Sequence, residues 1–320
     1  MTLRSVIIGT GSYLPEQRVT NDELSKHLET SHEWVVERTG ICARHLAAPG
    51  EYTSDMAVEA SKRALIAAEL SAQDIDMIVL ATTTPDHTFP ATATRIQSKL
   101  GISRGFAFDQ AAVCSGFVFA LATADAYLKQ GMAKTALVIG SETMSRLVDW
   151  NDRKTAVLFG DGAGAVVLRA QLQTDRGIIG SLLRTDGCGY DDLYVTGGPS
   201  TTQTTGIIHM NGREVFRNAV HRLEEAALEI LKTHGISQDE IDWLVPHQAN
   251  KRIIDATAKK LGLPDSKVIH TGAEQANTSS ASIPLALDHA IRDGRIKKGD
   301  LVLCEAFAGG FAWGSNLIRI

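Results

Sequence analysis

The sequence predicts an α/β fold of five layers, α/β/α/β/α, built from two duplicated halves. Three observations predict it. A pattern of segments occurs twice in the same order, short β-branched runs alternate with longer helical patterns, and no low-complexity linker separates the copies.

Residues 70–80 (LSAQDIDMIVL) read almost like residues 236–246 (ISQDEIDWLVP), and Leu100-Gly101-Ile102 matches Leu261-Gly262-Leu263. Cys114 then opens an alanine-rich helical stretch that ends at Gly131, before the apolar run 136–139. Asn277 opens a second such stretch, ending at Gly294 before the run 301–303. The three offsets are 166, 161 and 163 residues, nearly constant and in order. The halves therefore fall at 1–172, carrying Cys114, and 173–320, carrying His247 and Asn277. Residues 77–81 and 136–139 read as buried strands, and 243–245 as a strand ending just before His247. Residues 55–70 read as a helix with alanine-rich faces and Ser54 as N-cap. Residues 186–203, rich in Gly, Asp and Thr, read as an extended loop.

The chain has 320 residues, a formal net charge of −5, 44% hydrophobic and 22% charged residues, the profile of a globular protein with a sizeable core. Net acidity argues against nucleic acid as a partner, because neutralising phosphates needs a basic surface. The opening MTLRSVIIGTG has too short an apolar run for a signal peptide, and no stretch approaches a bilayer span, so no membrane is expected. Cys42, Cys114, Cys188 and Cys304 are widely spaced, without a C-x-x-C pair. That fits a reducing cytoplasm and no zinc framework; no metal is expected from the histidine spacing either.

If a pseudo-twofold relates the halves, equivalent positions face each other. Cys114 and Asn277 take equivalent positions at strand-to-helix junctions, and His247 follows a strand at the same kind of edge. A helix N-terminus favours a thiolate through its dipole and free N–H groups, and Ser115 and Gly116 leave room for a substrate. A lone Cys beside Ala, Val and Phe is ordinarily a small buried hydrophobe. Its pairing with Asn277 turns that reading towards a nucleophile. For His247 the plain alternative is a hydrogen-bonded structural histidine, and for Asn277 a helix cap, which is compatible with catalysis. Gly9-Thr10-Gly11 and Gly160-Asp161-Gly162-Ala163-Gly164 do not complete a dinucleotide fingerprint. Phe307-Ala308-Gly309-Gly310-Phe311 follows a strand, where paired glycines let backbone N–H groups approach a ligand. It suits half of an oxyanion hole, with the Cys114 N–H as the other half.

With these residues in view, the chain resembles β-ketoacyl-acyl-carrier-protein synthase III, of the thiolase-like superfamily. The resemblance is carried by Gly9-Thr10-Gly11-Ser12-Tyr13-Leu14-Pro15, Trp34 with Arg38-Thr39-Gly40-Ile41, Phe159 through Gly164, Pro246-His247-Gln248-Ala249-Asn250 and Asn277-Thr278-Ser279. It covers essentially the whole chain and implies a thiolase-like fold. It also implies ping-pong condensation: a short acyl-CoA, usually acetyl-CoA, acylates Cys114, and malonyl-acyl-carrier protein decarboxylates and attacks the thioester. CoA thioester would be a substrate, with no permanently bound cofactor. Cys114 and Gly309 N–H groups would hold the oxyanion, and His247 and Asn277 would stabilise the enolate.

By the same resemblance, Trp34 and Arg153 would bracket the adenine of CoA, with Arg38 at the phosphates. Gln248, Arg252 and Arg217 would meet the acidic carrier protein. Met144 and Phe307 would line the acyl pocket, joined in a homodimer by Phe89 from the partner. Ala308 stands where the family often has glycine, which implies a narrower channel. An alternative reading keeps the same triad in secondary metabolism, with a longer or aromatic starter. A papain-type hydrolase would lack the duplication, and a silent ketosynthase-like subunit would not need all three residues.

Overall fold

A computed structural model describes residues 3–172 and 174–320. The expected boundary between the halves touches residue 173, which lies outside the described residues. The first sheet contains β1 (Leu3–Tyr13), β2 (Met77–Ala81), β3 (Phe106–Gln110), β4 (Thr135–Thr143) and β5 (Asp161–Leu172), in the order β1-β5-β4-β2-β3. The second contains β6 (Gly177–Thr185), β7 (Trp243–Pro246), β8 (Leu301–Ala308) and β9 (Ala312–Arg319), in the order β7-β8-β9-β6. Both follow one plan. β2 runs parallel to β4 as β7 does to β8, and the remaining pairs towards β1 and β6 are antiparallel. The counterpart of β3 is reduced to a single parallel bridge between Leu244 and Val268.

The main helices are α1 (His32–Thr39), α2 (Thr53–Ala67), α3 (Thr92–Lys99), α4 (Gly116–Lys129), α5 (Gly212–His234), α6 (Lys251–Lys260) and α7 (Ser282–Arg292). Burial sorts them into layers. Met56 and Ala60 of α2 and Ile96 of α3 pack on Ile78, Leu80 and Ile139 of the first sheet. Ile230 and Leu231 of α5 and Ile254 of α6 pack on Leu244, Leu303 and Leu317 of the second. Between the sheets lie α4 and α7, whose Phe117, Leu121, Ile283 and Leu287 share one core with Val79, Val138, Val302 and Ile318. Because strand side chains alternate between faces, each sheet is apolar on both sides, as a strand covered on both faces must be. Five α/β/α/β/α layers result.

Gly164 explains one glycine motif that holds no nucleotide. A Cβ there would come within 2.7 Å of Pro284 and the Leu285 nitrogen, so glycine is what lets β5 approach the start of α7.

Three expectations shift. The helix read at 55–70 runs over Thr53–Ala67 and is capped from Tyr52, not Ser54. Thr53 draws the start backwards by donating to the Thr84 carbonyl at 2.6 Å, and the Tyr52 N–H donates to Asp55 Oδ2 at 2.9 Å. The stretch 186–203 is partly ordered, with a 3-10 turn at Gly187–Asp192 and a short strand, Leu193–Val195, paired with Ile208–Met210.

The third concerns the repeat. Cys114 lies in a 3-10 turn, Val113–Ser115, that leads into α4; Ser279–Ala281 forms the matching turn before α7. Both turns open on a left-handed residue, Val113 at φ 48° and Ser279 at φ 50°. The structural counterpart of Cys114 is therefore Ser280, at the same offset of 166 residues as the first repeat, and Asn277 stands three residues ahead of it.

Candidate active site

The two turns meet between the sheets, each at the mouth of a buried helix. Cys114 is buried and packs against Ala308 and Ala312. Asn277 is held by its backbone, since its N–H donates to the Leu158 carbonyl at 2.9 Å and its carbonyl accepts from Gly160 at 3.1 Å. Its Oδ1 accepts from the Ser279 N–H at 2.9 Å, which caps the turn and leaves the amide NH2 for the cavity. His247 directly follows β7, and its Nδ1 lies 2.6 Å from Ser282 Oγ, the first residue of α7. Ser282 Oγ also accepts from the Gln248 N–H at 3.3 Å. A hydroxyl that accepts there has its own proton for Nδ1, which places the imidazole proton on Nε2. Nε2 is buried without a partner among the described residues and borders the cavity.

That cavity measures about 500 Å³. Cys114, His247 and Asn277 line it together with Met144 and Phe307, while Trp34, Arg38, Arg153 and Arg252 line it further out. On α1 the Ser31 side chain accepts from the Trp34 N–H at 3.1 Å, and Arg38 follows one turn later on the same face. The Arg38 and Arg153 guanidiniums lie 4.6 and 5.1 Å from the Trp34 ring centroid. Two cations on one indole form a platform for a flat, electron-rich ring and an anionic tail.

The electrostatics are those of buried groups. Burial pushes the Cys114 thiol up to about 12, with a hydrogen bond from Ser279 working the other way. Burial pushes His247 down to about 3, so the ring is neutral and its Nε2–H is an uncharged donor. The helix terminus was expected to favour the thiolate; burial of the side chain works against it.

Other expected residues fall elsewhere. Gln248 is only 2% exposed. Its amide donates to the Pro246 and Ile269 carbonyls and accepts from the Thr271 and Gly272 N–H groups, so it braces the loop after β7 and is not presented to a partner. Arg217 projects from α5 and pairs with Glu214. Arg252 lies in the first turn of α6, with its guanidinium 5.7 Å from the Phe216 ring. Lys251 and Lys260 on that helix are paired, with Asp255 and Glu224. Gly309 lies beside this site, against Leu193: a Cβ would fall 2.4 Å from the Leu193 oxygen. Ala308 is fully buried on Cys114 and does not line the cavity. Phe89 is 82% exposed and away from the cavity.

Sequence reading missed Ser282, Ser279 and Glu142. Glu142 is an acid in the wholly buried strand β4, and that contrast was the available signal. It accepts from Thr82, Thr83, Thr84, Ser279 and Ser280. Asp255, Asp265 and His270 cluster on the surface, where Asp255 is engaged by Lys251, and no feature there points to a bound ion.

A cysteine, a neutral histidine and an asparagine brought to one cavity in a five-layered duplicated fold suit the acyl-transfer chemistry of a condensing enzyme of the thiolase type. The comparisons with known proteins narrow this. Residues 108–187 match the model for 3-oxoacyl-[acyl-carrier-protein (ACP)] synthase III, and residues 231–320 match its C-terminal model. Beta-ketoacyl-[acyl-carrier-protein] synthase III of Paramagnetospirillum magneticum is 59% identical, and that of a Bradyrhizobium strain is 58% identical, each with the whole of both chains covered. The synthase III structure from Aquifex aeolicus superposes with a TM-score of 0.94 at 45% identity, over 99% of this chain and 100% of that one. The priming β-ketosynthase of the R1128 polyketide pathway gives 0.94 at 34% identity, over 99% and 96%. The chain belongs to the 3-oxoacyl-[acyl-carrier-protein] synthase III family, and it is an acyltransferase that makes the initiating condensation of fatty-acid synthesis.

Proposed function

We propose that Cys114 carries the acyl group as a thioester between two half-reactions. A short acyl-CoA, acetyl-CoA first, enters with its adenine against Trp34 and Arg153 and its phosphates near Arg38. The thiolate attacks the carbonyl, the Cys114 and Gly309 N–H groups hold the oxyanion, and CoA leaves. Malonyl-acyl-carrier protein then docks at Arg252, with Arg217 as a second contact. Loss of CO2 leaves an enolate whose oxygen takes hydrogen bonds from His247 Nε2–H and the Asn277 amide. Its carbon attacks the acyl-Cys114 carbonyl to give the 3-oxoacyl product. A neutral donor suits an enolate because it stabilises the anion without protonating it; each such donor is worth about 3 kcal/mol of barrier.

The observation that carries this reading is the convergence of Cys114, His247 and Asn277 on one end of the cavity while the Trp34–Arg38–Arg153 cluster borders its outer part. Met144 and Phe307 would bound the acyl chain. Phe89, exposed in one chain, would enter the same pocket of a second copy in a homodimer. No resident cofactor or metal enters the scheme. We place its action in the cytoplasm, where the acyl-CoA and acyl-carrier-protein substrates of this reading would be met; no described helix is long and apolar enough to cross a membrane. We read residues 1–172 and 173–320 as the two repeats.

The test is incubation with radiolabelled acetyl-CoA, then with malonyl-acyl-carrier protein. The expected result is label on the Cys114 peptide, lost in Cys114→Ser, followed by a labelled 3-oxobutanoyl product. Label accepted only from longer or aromatic acyl-CoA would move the protein to the priming chemistry named for its R1128 relative.

A further inference from the structure

Arg44 is a cation with no exposed surface. Its strand, Ala43–Leu46, pairs with Gln17–Thr20 outside the two main sheets. The guanidinium is bonded only to neutral oxygens. Nη1 donates to the Val19 carbonyl at 3.3 Å, while the two protons of Nη2 go to Asn21 Oδ1 at 2.9 Å and the Val157 carbonyl at 3.0 Å. Nε has no partner among the described residues. Burying a charge against dipoles alone is expensive, and an apolar residue of similar shape would fill the space at less cost. What an apolar residue does not do is hold two carbonyl groups and an amide in fixed relation.

The Val157 arm leads to the active site. Val157 lines the cavity, and the next residue, Leu158, accepts the Asn277 N–H at 2.9 Å. Phe159 forms a parallel bridge with Asn277, and the Gly160 N–H donates to the Asn277 carbonyl at 3.1 Å. Segment 158–160 therefore sets where the Asn277 backbone lies. Arg44 stands behind that segment: a Cβ on Gly160 would fall 3.1 Å from the Arg44 Cβ. The Asn21 arm keeps the guanidinium aimed. Asn21 is fully buried, its amide donates to the Ile41 carbonyl at 2.8 Å and its N–H to the Cys42 carbonyl at 3.2 Å, which leaves Oδ1 a fixed acceptor.

We propose that Arg44 is a positioning residue for Asn277. By holding the Val157 carbonyl from behind, it fixes the segment that registers Asn277 and so aims the Asn277 amide at the enolate oxygen. The proposal rests on the reading of Asn277 as an enolate donor. The amide follows its backbone closely, because Asn277 Oδ1 is already tied to the Ser279 N–H two residues on. A displacement of about 1 Å at a reacting group costs on the order of a hundredfold in rate. Acylation of Cys114 makes no use of that amide, so only the condensation half of the cycle depends on Arg44.

The experiment measures two steps in the full-length protein: acetylation of Cys114 by acetyl-CoA, and release of CO2 from malonyl-acyl-carrier protein. Arg44→Met keeps the stem and removes the donors. It should slow decarboxylation on the order of a hundredfold and leave acetylation within about twofold. Arg44→Lys, whose ammonium lacks the planar fork, should fall in between. Asn21→Ala frees the arm beside Val157 and should show the same split at about threefold, which serves if an arginine variant fails to fold. The deciding arm is the Asn277→Ala background. With the amide gone, adding Arg44→Met or Asn21→Ala should slow decarboxylation by no more than about twofold further, since nothing is left for it to act through. Hydrogen exchange over residues 157–160 and 273–281 should also quicken in Arg44→Met. Equal loss in both steps, undiminished decarboxylation in folded Arg44→Met, or a full further loss in the double variant overturns the proposal alone. Undiminished decarboxylation in Asn277→Ala sinks the enolate-donor reading, and the proposal with it.

Discussion

His247→Gln should make the protein less sensitive to acid. The imidazole is neutral in the folded chain because burial lowers it from 6.5 to about 3. In the unfolded chain it protonates normally. The unfolded state therefore binds the extra proton, and stability falls as pH drops through 6.5 and continues falling towards 3. Between pH 7.5 and pH 5 this removes about 2 kcal/mol from the wild type, whatever the folded value below about 4. For a chain of this length that is about 3 °C in melting temperature. Glutamine keeps polar contact with Ser282 and does not titrate. Both proteins share every other titrating group, so the difference in their melting temperatures isolates His247. Calorimetry at pH 7.5 and pH 5 should show wild type losing about 3 °C relative to the variant. A difference that stays constant across that range would mean the ring is not held neutral, and the uncharged-donor role would fall with it.

Further outcomes follow from other contacts. Glu305 is buried on β8 with no partner for either oxygen among the described residues, and burial raises its carboxyl to about 8. Because its folded value lies above its unfolded one of 4.5, it destabilises increasingly as pH rises from 4.5 towards 8. Glu305→Gln should therefore stabilise the protein by on the order of 3 kcal/mol at pH 7, a gain that denaturant melts should find fading by pH 5. Gly309→Ala must displace the loop from Leu193, and steady-state assays should find both half-reactions slowed by about a hundredfold; unchanged rates would remove Gly309 from the oxyanion hole. Arg252→Ala should raise KM for malonyl-acyl-carrier protein about tenfold and leave Cys114 acetylation unchanged; equal loss in both assays would mean it does not serve docking.

The layered fold was legible because strands covered on both faces leave near-continuous apolar runs such as 77–81, and because the second copy repeats the run at a fixed distance. The partner of Cys114 was misread for a physical reason. The two equivalent turns are marked by left-handed backbone at Val113 and Ser279, and neither residue type advertises that conformation. Gln248 misled because an amide that satisfies four backbone groups looks, as a letter, like one that faces solvent. Glu142 was invisible as a neighbour of the site because its donors come from positions 58 to 60 residues before it and 137 to 138 after it. Cys114, His247 and Asn277 were singled out by their motifs, and the fold brings them to one cavity; the serines and the acid behind them required the fold.

The matched turns also illuminate how such a site changes over time. One copy presents a thiol and the other a serine whose hydroxyl reaches back to Ala81 and Glu142. A duplication that leaves two identical niches facing each other frees one of them from its ancestral task. In this chain the Ser280 niche ties the turn before α7 to β2 and β4 of the first sheet. Met144 comes from one repeat and Phe307 from the other, so the chamber between them is a seam. Its width can drift with substitutions on either bank, without disturbing the pairing of a single strand.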